Sequence, residues 1–202
     1  MEPAAPDPWE RRRQQTRADI LAAAWRLAER DGIAGLTLRD LAREVGMRAP
    51  SLYTYFDSKG AIHDAMFAEG YRQLLAEVEA WEQDGWDPTD RVGSLTRVLE
   101  HFLTFCQASL PRYQLMFTRV LPDWEPSPEA YAPSVEQYAR LRDRFAELGL
   151  DDRRSLDLWT ALSSGMAAQQ VANDPNGDRW RVLAHDAVAM FLALHDRTGS
   201  PS

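Results

Sequence analysis

Between Thr37 and Lys59 the chain reads TLRDLAREVGMRAPSLYTYFDSK, and this segment limits the fold more than any other. Thr37 and Asp40 have the Thr-x-x-acid spacing of a capping box, which starts a helix by satisfying backbone N–H groups of its first turn. Leu38, Leu41, Ala42 and Val45 then recur at helical spacing as one apolar stripe. Gly46 follows the stripe, where a left-handed residue closes a helix and glycine is favoured. Pro50 suits the first turn of a new helix, where its missing N–H has no partner to lose. Leu52 and Phe56, four apart, give that helix an inward face and leave Ser51, Tyr53, Thr54 and Tyr55 pointing elsewhere. Two helices about a short glycine-containing turn make a helix-turn-helix, whose second helix enters the DNA major groove.

The rest of the chain predicts helices only. A first helix is expected over about 16–30, closed by Asp31-Gly32, with Gly35 allowing the turn before Thr37. A long helix follows from Ser58 toward Glu82, then helices over about 88–109 and 112–121. Four prolines between Leu121 and Ser134 predict a loop, after which helices are expected over about 133–148, 152–173 and 178–195. No run of strand period is long enough to matter. The expected fold is all-α with about nine helices: a three-helix head and a six-helix body. The expected organisation is a disordered tail over 1–12, a DNA-binding head over 13–60, a body over 61–196 and a disordered tail over 197–202.

Net charge bears on what such a head does. The 202 residues carry −8, yet residues 1–60 hold ten basic and nine acidic side chains, so the excess of acid lies in the body. An acidic body weakens indiscriminate attraction to DNA and leaves binding to a few well-placed donors. No apolar run approaches the ~18–20 residues of a membrane span. The opening MEPAAPDPWERRR lacks the apolar core of a secretion signal, which predicts a cytoplasmic protein. Arg11, Arg12, Arg13 and Arg17 open two readings, a row along DNA phosphates or a solvated helix start.

From about Arg13 to Met66 the chain resembles the DNA-binding domain of the tetracycline-repressor (TetR) family. The resemblance rests on Ile20-Leu21, Ala23-Ala24, Gly32 and Gly35-Leu36-Thr37, followed by Arg39-Asp40-Leu41-Ala42 and Val45-Gly46. Pro50-Ser51-Leu52-Tyr53, Tyr55-Phe56 and Ser58-Lys59 complete it. The resemblance implies phosphate contacts from Tyr53 and Tyr55. It implies base-edge or thymine-methyl contacts from Arg48, Ala49, Pro50, Ser51 and Thr54. Arg48 and Thr54 depart from the residues common at those positions, which leaves the base sequence open. Arg39 suits a bidentate contact to guanine, against the alternative of a solvated helix surface. Thr37 has a hydroxyl, and a helix N-terminus, to offer a phosphate. Lys59 is the only lysine beside 22 arginines and follows Ser58, an expected N-cap. A cation there is disfavoured by roughly 0.3–1 kcal/mol unless a phosphate lies on the same helix end, so its place predicts a phosphate anchor.

The same resemblance implies a homodimer through about 155–173 and 178–195, and a small apolar or amphipathic effector that releases a repressor from a pseudo-palindromic operator. The last helix is apolar on two sides, as a helix packed on two sides is. Tyr71, Phe102, Phe105, Tyr113, Met116, Phe117, Tyr138, Trp159 and Met166 are candidates to line an effector cavity, with His101, Gln169 and Gln170 as polar contacts. The competing reading makes them core. His63, His101, His185 and His195 have no metal-ligand spacing, and Cys106 sits in an apolar run as a structural thiol. No phosphate loop, nucleophile elbow or dinucleotide fingerprint is present, so neither catalysis nor a cofactor is expected.

Overall fold

The computed structural model describes residues 7–198 and, among them, nine α-helices, two 3-10 turns and no strand. The helices are α1 (Pro8–Asp31), α2 (Leu38–Glu44), α3 (Ala49–Leu52), α4 (Lys59–Gly85), α5 (Arg91–Ala108), α6 (Leu110–Phe117), α7 (Pro128–Glu147), α8 (Arg153–Asn173) and α9 (Ala184–Thr198). The all-α expectation and the count of nine helices hold among the described residues. The chain divides into two compact units. One runs to Gly70 and includes Pro111–Ala132; the other comprises Tyr71–Leu110 and the chain from Pro133.

Several boundaries differ from the sequence reading, each for a local reason. Helix α1 begins at Pro8 rather than Thr16, because Asp7 caps it by accepting from the Trp9 N–H at 3.2 Å and Pro8 takes the first position. Of the tails expected over 1–12 and 197–202, residues 1–6 and 199–202 lie outside the described residues, while 8–12 and 197–198 are helical. Pro111 does not break a helix; Ser109 is extended and Pro111 falls in the first turn of α6. The proline-rich loop ends earlier than Ser134. Ser127 accepts from the Ala130 N–H at 3.2 Å, Pro128 opens α7, and Pro133 lies inside it. A proline there forfeits one ladder bond but keeps a helical φ. The last helix starts at Ala184, preceded by a 3-10 turn over Arg181–Leu183, and not at Asp178.

The first unit is held by the stripe that periodicity exposes. Helix α1 packs on α2, and α2 on α3; Ile20, Ala24 and Leu27 of α1 are buried, as are Leu41 and Ala42 of α2, Leu52 and Phe56, and Ile62 and Met66 of α4. Full burial of each large aliphatic side chain contributes about 1.5–3 kcal/mol, enough to fix the short helices α2 and α3, which would not persist alone. Gly32, with φ of 78°, donates to the Ala28 carbonyl at 2.8 Å and turns the chain out of α1; this is the glycine the turn requires, rather than Gly35. Gly70 has a different purpose. A Cβ there would stand 2.6 Å from the Met116 sulfur, so α6 approaches α4 where a side chain is missing.

In the second unit α5 packs on α8 and α9, burying Leu95, Leu99, Leu103 and Cys106 with Trp159, Val188 and Phe191. Phe145, Trp159 and Phe191 meet edge-on or tilted, with ring centroids 5.3–6.3 Å apart. Near the end of α4, Glu82 receives hydrogen bonds from Arg140 at 2.7 and 2.9 Å and from Arg144 at 3.0 Å, with only 5% of its side chain exposed. Burial pushes this carboxyl up, but the two guanidinium groups outweigh it and hold it below the ordinary range.

Candidate DNA interface

The recognition element is built by its two ends. Thr37 accepts from the Asp40 N–H at 3.1 Å and donates its own O–H to the Asp40 carboxylate at 2.6 Å, so the capping box forms. Gly46 has φ of 69°; its N–H reaches the Arg43 carbonyl at 3.2 Å and the Met47 N–H reaches the Ala42 carbonyl at 2.8 Å. These are the two bonds of a Schellman motif, and they set the angle at which the chain leaves α2. Helix α3 is one turn, continued by i→i−3 bonds from the N–H groups of Tyr53, Thr54 and Tyr55. Leu52 and Phe56 anchor it inward.

Sequence reading did not find what fastens the far end. The Arg17 guanidinium lies 4.2 Å from the centroid of the Phe56 ring and donates to the Tyr55 carbonyl. The signal available was a basic residue three before Ile20 on the buried stripe of α1, which periodicity alone reads as a mismatch. Arg26 and Glu44, 3.3 Å apart, tie α1 to α2 at the opposite side. Trp25 donates to Glu69 at 2.6 Å.

With that frame fixed, most of the predicted residues reach solvent. Arg39, Arg48, Pro50, Ser51, Tyr53 and Thr54 are exposed, Tyr53 by 53%, while Ala49, Tyr55 and Lys59 are half-buried. The hydroxyl of Thr37 is taken on both sides by Asp40, so what Thr37 leaves for a phosphate is the backbone N–H end of α2. The charges sort the same way. Arg26, Arg30 and Arg43 are paired with Glu44, Asp31 and Asp40, and Arg17 is spent on the recognition element. Among the described residues none pairs with Arg39, Arg48 or Lys59. These cations of the head are uncommitted, and Tyr53 is an exposed aromatic of the same head.

Behind Lys59 the helix start is clamped. Ser58 accepts from the Ala61 N–H at 3.0 Å. Trp124 from the α6–α7 loop donates to Asp64 at 3.0 Å and lies edge-on to His63 and Phe67, with centroids 5.7 and 5.9 Å away. Burial, and next the charge of Lys59, bring the His63 imidazole down to about 4, so it is neutral at pH 7.

The candidate effector residues divide between the units. Tyr113, Met116 and Phe117 lie on α6 in the first; Tyr71, His101, Phe102, Phe105, Tyr138, Trp159, Met166, Gln169 and Gln170 lie in the second. Phe105, Met116, Trp159 and Met166 are buried, whereas Tyr138 and Gln169 are exposed. His101 Nε2 stands 3.6 Å from Glu77. Gln170 differs from its expected part as a ligand contact. Its oxygen accepts from the N–H groups of Trp180 and Arg181 at 3.0 and 3.2 Å, and its amide donates to the carbonyls of Asp174 and Gly177. All four of its hydrogen-bonding positions brace the turn after α8. Among the described residues no group of three or more His, Cys, Asp or Glu is placed to hold a metal ion, and no helix is long and apolar enough to cross a membrane.

Residues 20–66 match the model of a family described as bacterial regulatory proteins, tetR family. No curated protein matches the chain. Among solved structures, the regulatory protein SCO4313 is 21% identical, with 94% of this chain and 100% of that one covered at a TM-score of 0.74. A TetR-family transcriptional regulator from Bordetella parapertussis is 22% identical over 88% and 94% of the two chains, with a TM-score of 0.63. The transcriptional regulator FadR from Bacillus subtilis, solved in complex with stearoyl-CoA, is 16% identical over 87% and 97%, with a TM-score of 0.67. At these identities the likeness is one of fold, and it runs along nearly the whole chain. Residues 20–66 thus match the tetR family of bacterial regulatory proteins, and the fold along nearly the whole chain is one shared with these solved structures.

Proposed function

We propose that this protein is a homodimeric, effector-responsive repressor that acts in the cytoplasm. A head over residues 13–60 reads DNA, and a body over 61–196 dimerises and binds the effector. The observation that carries the reading is that Arg39, Arg48 and Lys59 are uncommitted among the described residues and Tyr53 is exposed, on a head whose other arginines are mostly paired internally. Arg39, Arg48, Ala49, Pro50, Ser51 and Thr54 read base edges. Thr37, through its helix end, together with Tyr53, Tyr55 and Lys59, anchors phosphates. Phosphate contacts set the register of the head, and base contacts choose the operator.

Dimerisation through about 155–173 and 178–195 places two heads on half-sites of a pseudo-palindrome, with centres roughly 34–36 Å apart or a multiple of that. The exposure of Val182, Leu183, Met190 and Leu194 within one short stretch of chain supports this, since exposed apolar side chains grouped together mark interaction surfaces. The effector is apolar or amphipathic and is held in the second unit, among Tyr71, Phe102, Phe105, Trp159 and Met166; the stearoyl-CoA complex of the Bacillus subtilis regulator supports that class. It releases DNA only by binding one conformer of the dimer more tightly than the other. Two variants test the head. Tyr53→Ala weakens operator binding with the dimer intact, and Lys59→Ala lowers affinity alike on all sequences while reducing the salt slope by about one unit per half-site. Unchanged binding in Tyr53→Ala removes α3 from the interface.

A further inference from the structure

Helix α1 overruns the head. The stripe that packs on α2 and α3, Leu27, Ala24 and Ile20, continues toward the N-terminus as Arg17, Arg13 and Trp9. At 3.6 residues per turn these three lie within about 60° of Ile20 around the helix, whereas Arg11 lies on the opposite side, about 180° away. The residues that continue a core stripe are here two arginines and a tryptophan, and Trp9 is 68% exposed. Arg17 has already shown where this face leads, since its guanidinium reaches the Tyr55 carbonyl and the Phe56 ring at the end of the recognition element. Arg13 is about 6 Å and Trp9 about 12 Å further along the axis. Among the described residues no acid pairs with Arg13. The acids on these turns are occupied, Glu10 by Gln14 at 3.3 Å and Asp19 by Gln15 at 2.9 Å. The overhang is a built helix, capped by Asp7 and opened by Pro8.

We infer that the first two turns of α1 are a second DNA-contacting element, with Arg13 on a backbone phosphate outside the half-site and Trp9 on the sugar-phosphate step beyond it. This rests on the DNA-binding reading and extends it. The charge of the face fits a polyanion, and the face is continuous with the recognition element. Twelve ångströms along a duplex is about three to four base pairs, so each head covers more DNA than it reads. The element adds affinity and salt dependence, and no sequence preference, because phosphates and sugars carry no base identity. The indole contributes one N–H donor and an apolar edge.

The probe is a set of duplexes selected from a randomised pool by the unaltered chain. Arg13→Gln should bind them about eightfold more weakly per half-site at 0.1 M salt, with the salt slope reduced by about one unit per half-site. Arg13→Lys should restore the slope, and Arg11→Gln, on the far side of the helix, should stay close to the unaltered chain. Trp9→Ala should shorten the hydroxyl-radical footprint at its outer edges. The motif selected by Arg13→Gln should be unchanged. Equal losses from Arg11→Gln and Arg13→Gln, or a footprint that already ends at the half-sites, would overturn the inference while leaving the head as the DNA reader. Failure of the unaltered chain to select any duplex would overturn both.

Discussion

Met190 is the side chain whose substitution speaks most directly to assembly. It lies on α9 with 70% of its surface in water, beside Leu194 at 38%, and Val182 and Leu183 precede the helix at 62% and 41%. On α8 the exposed positions are small, Ala161, Ser164, Gly165 and Ala168, the composition of a face that another helix can approach closely. Full burial of a methionine contributes about 1.5–3 kcal/mol, so the exposed part of Met190 still offers about 1–2 kcal/mol per protomer. A two-fold interface counts it twice, about 2–4 kcal/mol, which is roughly a 30- to 700-fold change in dimer dissociation constant. Met190→Glu removes that contribution and sets two carboxylates in the interface without partners, which adds to the loss. The folded monomer has little to lose, because an exposed helix position tolerates the change within about 0.5 kcal/mol. Sedimentation equilibrium should therefore show a shift to monomer at micromolar concentration, with helical content preserved. A dissociation constant equal to that of the unaltered chain would refute the placement of the dimer interface on α8 and α9.

Two further outcomes test the head. Gly46→Ala should destabilise the protein by about 1–2 kcal/mol in chemical denaturation, since φ is 69° and no atom lies within 4 Å of the new Cβ, so backbone strain is the whole effect. An unchanged midpoint would mean that the turn relaxes freely. His63 is held at about 4 in the folded protein against an ordinary value of 6.5. Between those values the unfolded chain binds a proton that the folded chain refuses, so stability is full above about pH 6.5. It falls by about 3 kcal/mol as pH drops to 4. His63→Phe should flatten that part of the stability–pH curve, and an equal slope in both proteins would place the titration elsewhere.

The head was largely legible because its signals are local. A capping box, a glycine after an apolar stripe and two inward residues four apart each specify backbone over a few positions, and Thr37, Gly46, Leu52 and Phe56 behave as that chemistry requires. Proline was the main source of displaced boundaries. Pro8, Pro111 and Pro128 open helices and Pro133 lies within one, and periodicity cannot distinguish these uses from a break until the cap is known. Long-range partners were not legible. Nothing near Gln170 announces that it braces a turn four to eleven residues later, nor does anything near Arg17 show that it will meet Tyr55. Both depend on where the chain returns. The effector residues are the least legible class, because an aromatic side chain at helical spacing serves a core and a cavity equally well.

The proposed function requires that this head read a two-fold-symmetric DNA sequence through α3. Selection of duplexes from a randomised pool by the full chain, followed by sequencing of the bound fraction, tests it in one measurement. The expected result is an enriched inverted repeat whose half-site centres are about one helical turn apart or a multiple of that, lost when the same pool is offered to Tyr53→Ala. A bound fraction with no enriched sequence, or an identical motif from Tyr53→Ala, would contradict it.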